Sequence, residues 1–184
     1  MLTLFRVMNG ALLKHSRELL SYLREDVNAY IFIGAPRIPL YHVSTILRNF
    51  YIVTSKCDDI YVTKTARTLG ILLDANAVNL GNYLIAGVGG VDPWHSILRL
   101  RELLRNHQGK RVLLFSYFPA HGLCDSIPEL GVRSGLPELR NLIDDFKPYV
   151  FVSLSGIDCV TRRNETEIHS ISKNTSFLDL KFIP

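Results

Sequence analysis

Hydrophobic positions along the chain fall into two kinds of run, and their alternation predicts an α/β protein. Short, nearly unbroken apolar runs closed by Gly, Pro, Ser or Asn occur at "LTLFRV" (2–7), "AYIFIGAP" (29–36), "FYIVTS" (50–55), "RVLLFSY" (111–117) and "YVFVSLS" (149–155). Several have the pattern of strands buried on both faces. Between them apolar residues recur at helical spacing. Leu12, Leu13, Leu19, Leu20 and Leu23 predict an amphipathic helix from Ala11 to Glu25, and "YHVSTILRNF" a short one. Trp94 to about His107 predicts a longer helix, and "GLPELRNLIDDF" (135–146) another, with Pro137 tolerated in its first turn. "ILLDANAVNLGNYLIAGVGG" (71–90) breaks at "DAN" and "LGN" turns and predicts two or three short strands. From Asp158 onward apolar and polar residues alternate across Asn-containing turns, as in an antiparallel meander. This order predicts two sheets face to face, each covered by helices.

Composition narrows the class without naming a function. The 184 residues are 47% hydrophobic and 21% charged, an ordinary globular balance, and no repeat, linker or low-complexity segment divides residues 1–184 into more than one domain. A net charge of +4 is mildly basic: it permits a nucleic-acid or acidic partner without demanding one. The three cysteines, Cys57, Cys124 and Cys159, show no CxxC spacing and suggest neither a disulfide framework nor a zinc knuckle, so a reducing, cytoplasmic setting is expected. No apolar run reaches the roughly 18 residues of a membrane span, and the N-terminus lacks a signal peptide's apolar region. "NET" at Asn164 and "NTS" at Asn174 read as turns rather than glycosylation sites.

Strand ends are where such an architecture keeps its chemistry. Here they read Val7-Met8-Asn9-Gly10, Gly34-Ala35-Pro36, Ser55-Lys56-Cys57-Asp58-Asp59, Ser116-Tyr117-Phe118-Pro119 and Ser155-Gly156-Ile157-Asp158. This layout resembles the calcineurin-like metallophosphoesterase superfamily, particularly its small phosphoesterase-like proteins. "FSYFPAHGLCD…SGLPELRNLIDDFKPYVFVSLSGID" follows the family's order of His-Tyr-Pro-Pro loop, glycine, aspartate, short helix, GHxHE strand end and β meander. Upstream, "VMNG", "FIGAP" and "SKCDD" sit where the family has DxHG, GD and GNHD, and "LIAGVGGVDP" resembles its strand and turn after the small hairpin. The likeness covers nearly the whole chain in order and is carried by scaffold rather than by motif identity. It implies a four-layer α/β/β/α sandwich with two mixed sheets.

Against the family's motifs the departures are systematic. Val7 stands at the first aspartate ligand and Asn9 at its histidine, while Ala35 replaces the bridging aspartate. Lys56 replaces the ligand asparagine and Cys57 the catalytic histidine, with Asp58 following; Ser116 replaces a ligand histidine, and Ser155 and Ile157 the last two. Alanine and valine carry no donor atom, and a lysine cation repels a metal. The resemblance therefore implies a pseudoenzyme with no catalytic residue, metal or cofactor, kept as a binding or assembly subunit that takes a protein partner. Small subunits of replicative DNA polymerases and a retromer coat subunit are such scaffolds in that superfamily. A site emptied this way is expected to close, with Val7, Met8, Ala35 and Ile157 packed together.

Other chemistries compete for the same loops. A rearranged or single-metal phosphoesterase site would use Asp58, Asp59, Asp158 and His121, although a two-metal hydrolase needs roughly six converging ligands. Cys57 beside the Lys56 cation is a candidate activated thiol, against the reading of a small buried hydrophobe. Ser116 would need His121 or His42 as base, and the Gly-x-Ser-x-Gly elbow is absent. "GVGG" (87–90) matches no phosphate-loop spacing and reads as a tight turn. Arg99, Arg101, Arg105, Lys110 and Arg111 form the densest basic segment. It is either a solvated face or a binding face for an acidic protein or for the phosphate backbone of RNA or a ribosome, with Arg162 and Arg163 as additions.

Overall fold

Each of the long apolar runs becomes a strand with both faces covered. The computed structural model describes residues 3–106, 109–172 and 174–182. In chain order the elements are β1 (Thr3–Asn9), α1 (Ser16–Ser21), β2 (Ala29–Ile33), α2 (Leu40–Ile46), β3 (Phe50–Val53), α3 (Ile60–Thr68), β4 (Asn76–Leu80), β5 (Tyr83–Val88) and α4 (Pro93–Arg105). There follow β6 (Arg111–Ser116), β7 (Ser126–Ile127), β8 (Val132–Arg133), α5 (Pro137–Phe146), β9 (Val150–Ser155), β10 (Cys159–Arg163), β11 (Thr166–Ser172) and β12 (Phe177–Phe182).

The strands form a four-stranded sheet, β12-β1-β2-β3, and a six-stranded sheet, β10-β11-β9-β6-β5-β4, with β7 and β8 as a separate hairpin. In the smaller sheet only β12 runs antiparallel; in the larger, the edge strands β10 and β4 do. Side chains alternate across each strand, so three cores result. Phe5, Val7, Ile31, Ile33 and Val53 meet Ile85, Leu113, Phe115, Val150 and Val152 between the sheets. Met8, Phe32, Phe50 and Ile52 lie under Leu19, Val43 and Ala66 of α1, α2 and α3. Leu84, Leu114, Phe151 and Ile168 lie under Leu100 and Leu104 of α4 and Leu139, Leu142 and Ile143 of α5. The fold is a four-layer α/β/β/α sandwich with two mixed sheets, as the sequence pattern predicts.

Helix ends follow local chemistry. The Asp92 side chain accepts from the His95 amide at 3.0 Å and Pro93 opens α4, while Lys147 adopts a left-handed φ of 45° to end α5 before Pro148. Asn106 caps α4; His107, where the spacing placed its end, lies outside the described residues. Four features depart from the sequence reading. Helix α1 is shorter than the predicted one, because Gly10–Leu12 forms a 3-10 turn and Glu18 accepts the Lys14 and His15 amides to start the helix only at Ser16. Helix α3 was not predicted: in "IYVTKTART" only Ala66 is fully buried, so the apolar signal is thin. The tail is a hairpin, β10–β11, whose second strand runs parallel to β9, while β12 crosses to the other sheet and lies antiparallel along β1. Its Leu180 and Phe182 fill the inter-sheet core there, which a local alternation pattern cannot foretell. Finally, Cys124 and Cys159 form a disulfide, 35 residues apart in sequence with Cα atoms 5.7 Å apart, so the expectation of unpaired cysteines is corrected; Cys57 is the free thiol. Asn164, at a left-handed φ of 54°, and Asn174 do sit in turns.

Candidate functional site

The C-terminal ends of β1, β2 and β3 converge with those of β5, β6 and β9. Backbones approach closely at two glycines. A Cβ at Gly10 would overlap the Gly34 carbonyl oxygen, and one at Gly90 would overlap the Lys56 amide and the Tyr117 ring. The sequence-predicted positions are thus brought to one end of the sandwich, but their side chains do not form one site.

The carboxylates here hold the backbone. Asp58 Oδ2 accepts from the Ala35 amide at 3.0 Å and the Ser55 amide at 2.7 Å, tying the β2 and β3 ends together. Asp74 Oδ1 accepts from the Thr54 amide at 2.9 Å, and its other oxygen accepts from the Thr54 hydroxyl. Two consecutive amides after β3 are therefore each occupied by a carboxylate. Asp74 was missed at the sequence level; its signal was an isolated acid inside an apolar run, "ILLDAN". Burial pushes its carboxyl above the usual range, partly offset by the two bonds to Thr54. Asp59 caps α3 by accepting from the Val62 amide at 2.9 Å. Asp158 accepts from the Ser172 amide at 2.7 Å and the Thr175 hydroxyl at 2.6 Å; burial raises its carboxyl, but these donors together hold it below the usual value. His121 is half exposed, its Nδ1 3.7 Å from the buried Asp125, which also accepts from the Gly122 amide at 2.9 Å. Among the described residues no three of His, Cys, Asp and Glu gather as a ligand group, so Asp58, Asp59, Asp158 and His121 do not assemble as one set.

The nucleophile candidates are also apart from any base. Ser116 is fully buried on the helix-covered face of the larger sheet and accepts from the Phe118 amide at 3.2 Å. His42 is exposed on α2, over the other sheet. Cys57 is exposed rather than buried, its amide bonded to the Ser55 hydroxyl at 3.2 Å. Burial raises the Tyr117 hydroxyl, helped by the nearby Cys57 and Asp58 charges. Ser116, Ser153 and Ser170 lie side by side across β6, β9 and β11, and Ser170 donates to Ser155 at 2.6 Å. Serines at alternate positions in "VSLS" and "HSIS" were the sequence signal for it.

The expected collapse of Val7, Met8, Ala35 and Ile157 onto one another is not what happens. Val7 belongs to the inter-sheet core and Met8 to the core under α1, because adjacent residues of a strand face opposite sides. Ala35 and Ile157 are half-buried in loops, and Asn9 is buried at the end of β1. Lys56 is exposed.

On α4 the basic segment is partly neutralised. Arg99 pairs with Glu102 at 2.7 Å and Arg101 with Asp145 of α5 at 2.6 Å. Lys110 donates to Asn79 at 2.8 Å, and the Arg111 guanidinium lies 5.2 Å from the Tyr149 ring centre. Arg163 pairs with Asp144 at 2.5 Å; Arg105 and Arg162 are exposed. On the same helix, Trp94 and Leu98 expose 50% and 66% of their surface four residues apart, and Val91, just before the helix, exposes 55%. No helix among the described residues is long and apolar enough to cross a membrane.

No family model and no curated protein matches the chain. One solved structure superposes with a TM-score of 0.69 at 10% identity, covering 98% of this chain and 95% of its own. Another, TT1561 of Thermus thermophilus, does so with a TM-score of 0.69 at 14% identity, covering 92% of this chain and 89% of its own. At such identities what is shared is the fold: this chain is built on the same sandwich as TT1561 over nearly the full length of both.

Proposed function

We propose that the chain is a degenerate member of the metallophosphoesterase superfamily that has given up hydrolysis and serves as a binding or assembly subunit for a protein partner. One observation carries this reading. The acids at the strand ends, Asp58 and Asp74, accept from the backbone amides of Ala35, Thr54 and Ser55, and three of the positions that would carry the family's ligands, Val7, Ala35 and Ile157, have no donor atom in their side chains. A protein partner is favoured over RNA because Arg99 and Arg101 are spent on Glu102 and Asp145, while Trp94 and Leu98 are exposed beside them. A cytoplasmic setting belongs to the proposal with one condition. The Cys124–Cys159 bond must persist there, as intracellular disulfides do in hyperthermophiles.

The test is manganese. A ligand held only by the folded chain raises its stability by about 2.7 kcal/mol at a hundredfold excess over Kd. The thermal midpoint of this protein is expected to ignore added manganese, and hydrolysis of a nitrophenyl phosphodiester to stay at background. A midpoint that climbs and saturates near micromolar manganese, with hydrolysis, overturns the reading.

A further inference from the structure

Between Tyr117 and Leu136 one segment stands apart from the layers around it. Glycines bound it at either end: Gly122, at a left-handed φ of 75°, and Gly135, where a Cβ would overlap the Ala120 backbone. The residues between them, 123–134, bond mainly to one another. β7 pairs with β8, the Ser134 amide and hydroxyl donate to the Asp125 carbonyl at 2.9 and 3.2 Å, and Arg133 pairs with the Asp125 carboxylate. No hydrogen bond among the described residues joins this lobe to either large sheet, to α4 or to α5. Its attachments to the rest of the protein are few. Leu123, 8% exposed, is seated in the core under α4 and α5. The Ser126 carbonyl and Ile127 lie on Gly156, just past the end of β9, where a Cβ would come within 2.9 Å of that carbonyl oxygen. Cys124 is bonded to Cys159 of the edge strand β10. Cys124 holds a left-handed φ of 54°, a conformation that costs a non-glycine residue energy and recurs where chains switch. Cys159 pairs in register with Ser170, and Ser170 with Ser153, so the bond fastens the lobe at the end of the serine row, beside the buried Ser155 and Ser170.

We propose that Cys124–Cys159 is a redox latch: a dithiol reductant releases the lobe, which swings on Gly122 and Gly135 as one piece and uncovers the strand end at Gly156. Both cysteines are half-buried rather than sealed in a core, and one of them lies on an edge strand. A thiolate of the reductant attacks one sulfur, forming a mixed disulfide and freeing the other cysteine as a thiol once it takes a proton. The reductant's second thiol then displaces the remaining protein sulfur and closes its own disulfide. Two electrons and two protons pass to the protein, and the dithiol is oxidised. A monothiol stalls at the mixed disulfide, which the freed protein thiol beside it reverses, so a dithiol is the effective reductant. In the reduced chain the lobe keeps its bonds through Asp125, because none of them involves either sulfur. What it loses is the tie to β10. The latch stands whether or not the strand ends have given up hydrolysis.

Full-length protein labelled with nitrogen-15 and carbon-13, first oxidised and then treated with dithiothreitol without denaturant, reads the latch directly. Iodoacetamide is expected to mark Cys57 alone in the oxidised chain and all three cysteines after reduction. Proton–proton Overhauser contacts between Ile127 and Gly156 should be present in the oxidised protein and lost in the reduced one. Those between Ser126 and Arg133, inside the lobe, should remain in both. Cys124→Ser combined with Cys159→Ser should show the open pattern under oxidising conditions, with its amide spectrum outside the lobe as the check on folding. Three results would each overturn the proposal: Ile127–Gly156 contacts that persist in fully reduced protein, Ser126–Arg133 contacts that vanish along with them, or a bond that resists dithiothreitol until the chain unfolds.

Discussion

Asp74 shows how much one side chain decides. It sits between β3 and β4, is held by Thr54, and leaves no room for a Cβ at Gly89, which would overlap its carboxylate. Burial raises its pKa, so the folded chain holds this proton more tightly than the unfolded chain does. The resulting stability is full below the ordinary carboxylate value and is lost as pH rises through the raised one. Asp74→Asn keeps both bonds, its oxygen accepting from the Thr54 amide and its nitrogen donating to the Thr54 hydroxyl oxygen. The variant is expected to be at least as stable as the parent at neutral pH, and its advantage should grow as pH rises from the ordinary carboxylate range toward neutrality. Denaturant titrations of both proteins across that range measure it, and parallel pH curves would sink the argument.

Among the elements, the long loop from Tyr117 to Leu136 is held in two ways. Asp125, 2% exposed, accepts from Gly122 and pairs with Arg133 at 3.3 Å inside the loop, whereas Cys124–Cys159 ties the loop to the edge strand β10. Closing a loop of 35 residues removes freedom mainly from the unfolded chain, a contribution of about 3–4 kcal/mol on the chain-entropy account. Reduction by dithiothreitol, or the double change Cys124→Ser with Cys159→Ser, should lower the unfolding free energy by that order. The loop's own bonds through Asp125 should survive, visible as protected amides at Gly122 and Ser134. Equal stability in reduced and oxidised protein would mean that the bond adds nothing to the fold. The element-level reading succeeded wherever apolar density was high, as at β2 and β9, and failed at α3, where three β-branched threonines and two cations thin the apolar face.

For the molecule as a whole, the question is which outer face meets a partner. Arg101 and Arg105 stand one turn apart on α4, but Arg101 is held by Asp145 and only Arg105 is exposed. Changing both to Glu would put three acids beside one another at α4 and α5. If the face binds an acidic protein surface, the double variant should lose a partner that nuclease treatment leaves in place. Loss of the partner on nuclease treatment of the parent protein would instead assign the face to nucleic acid, with salt dependence flattened in the variant. Retention of every partner by the variant would reduce the segment to a solvated face.

Two things were settled by the sequence on its own. Runs such as Ala29–Ile33 and Val150–Ser155 are short and apolar on both faces, which only a covered sheet satisfies, so the layered architecture was legible locally. Donor atoms absent from the side chains of Val7, Ala35 and Ile157 are absent in any fold, so the lack of a ligating side chain at these three positions was legible too. Tertiary structure decided where the remaining polar groups are spent. Asp74 finds Thr54 across 20 residues, Cys124 finds Cys159 across 35, and Arg6 meets Asp179 across 173 when β12 returns to β1. Hydrophobic periodicity records which side of an element is buried, and holds no record of what lies opposite; that is set by chain crossings between layers.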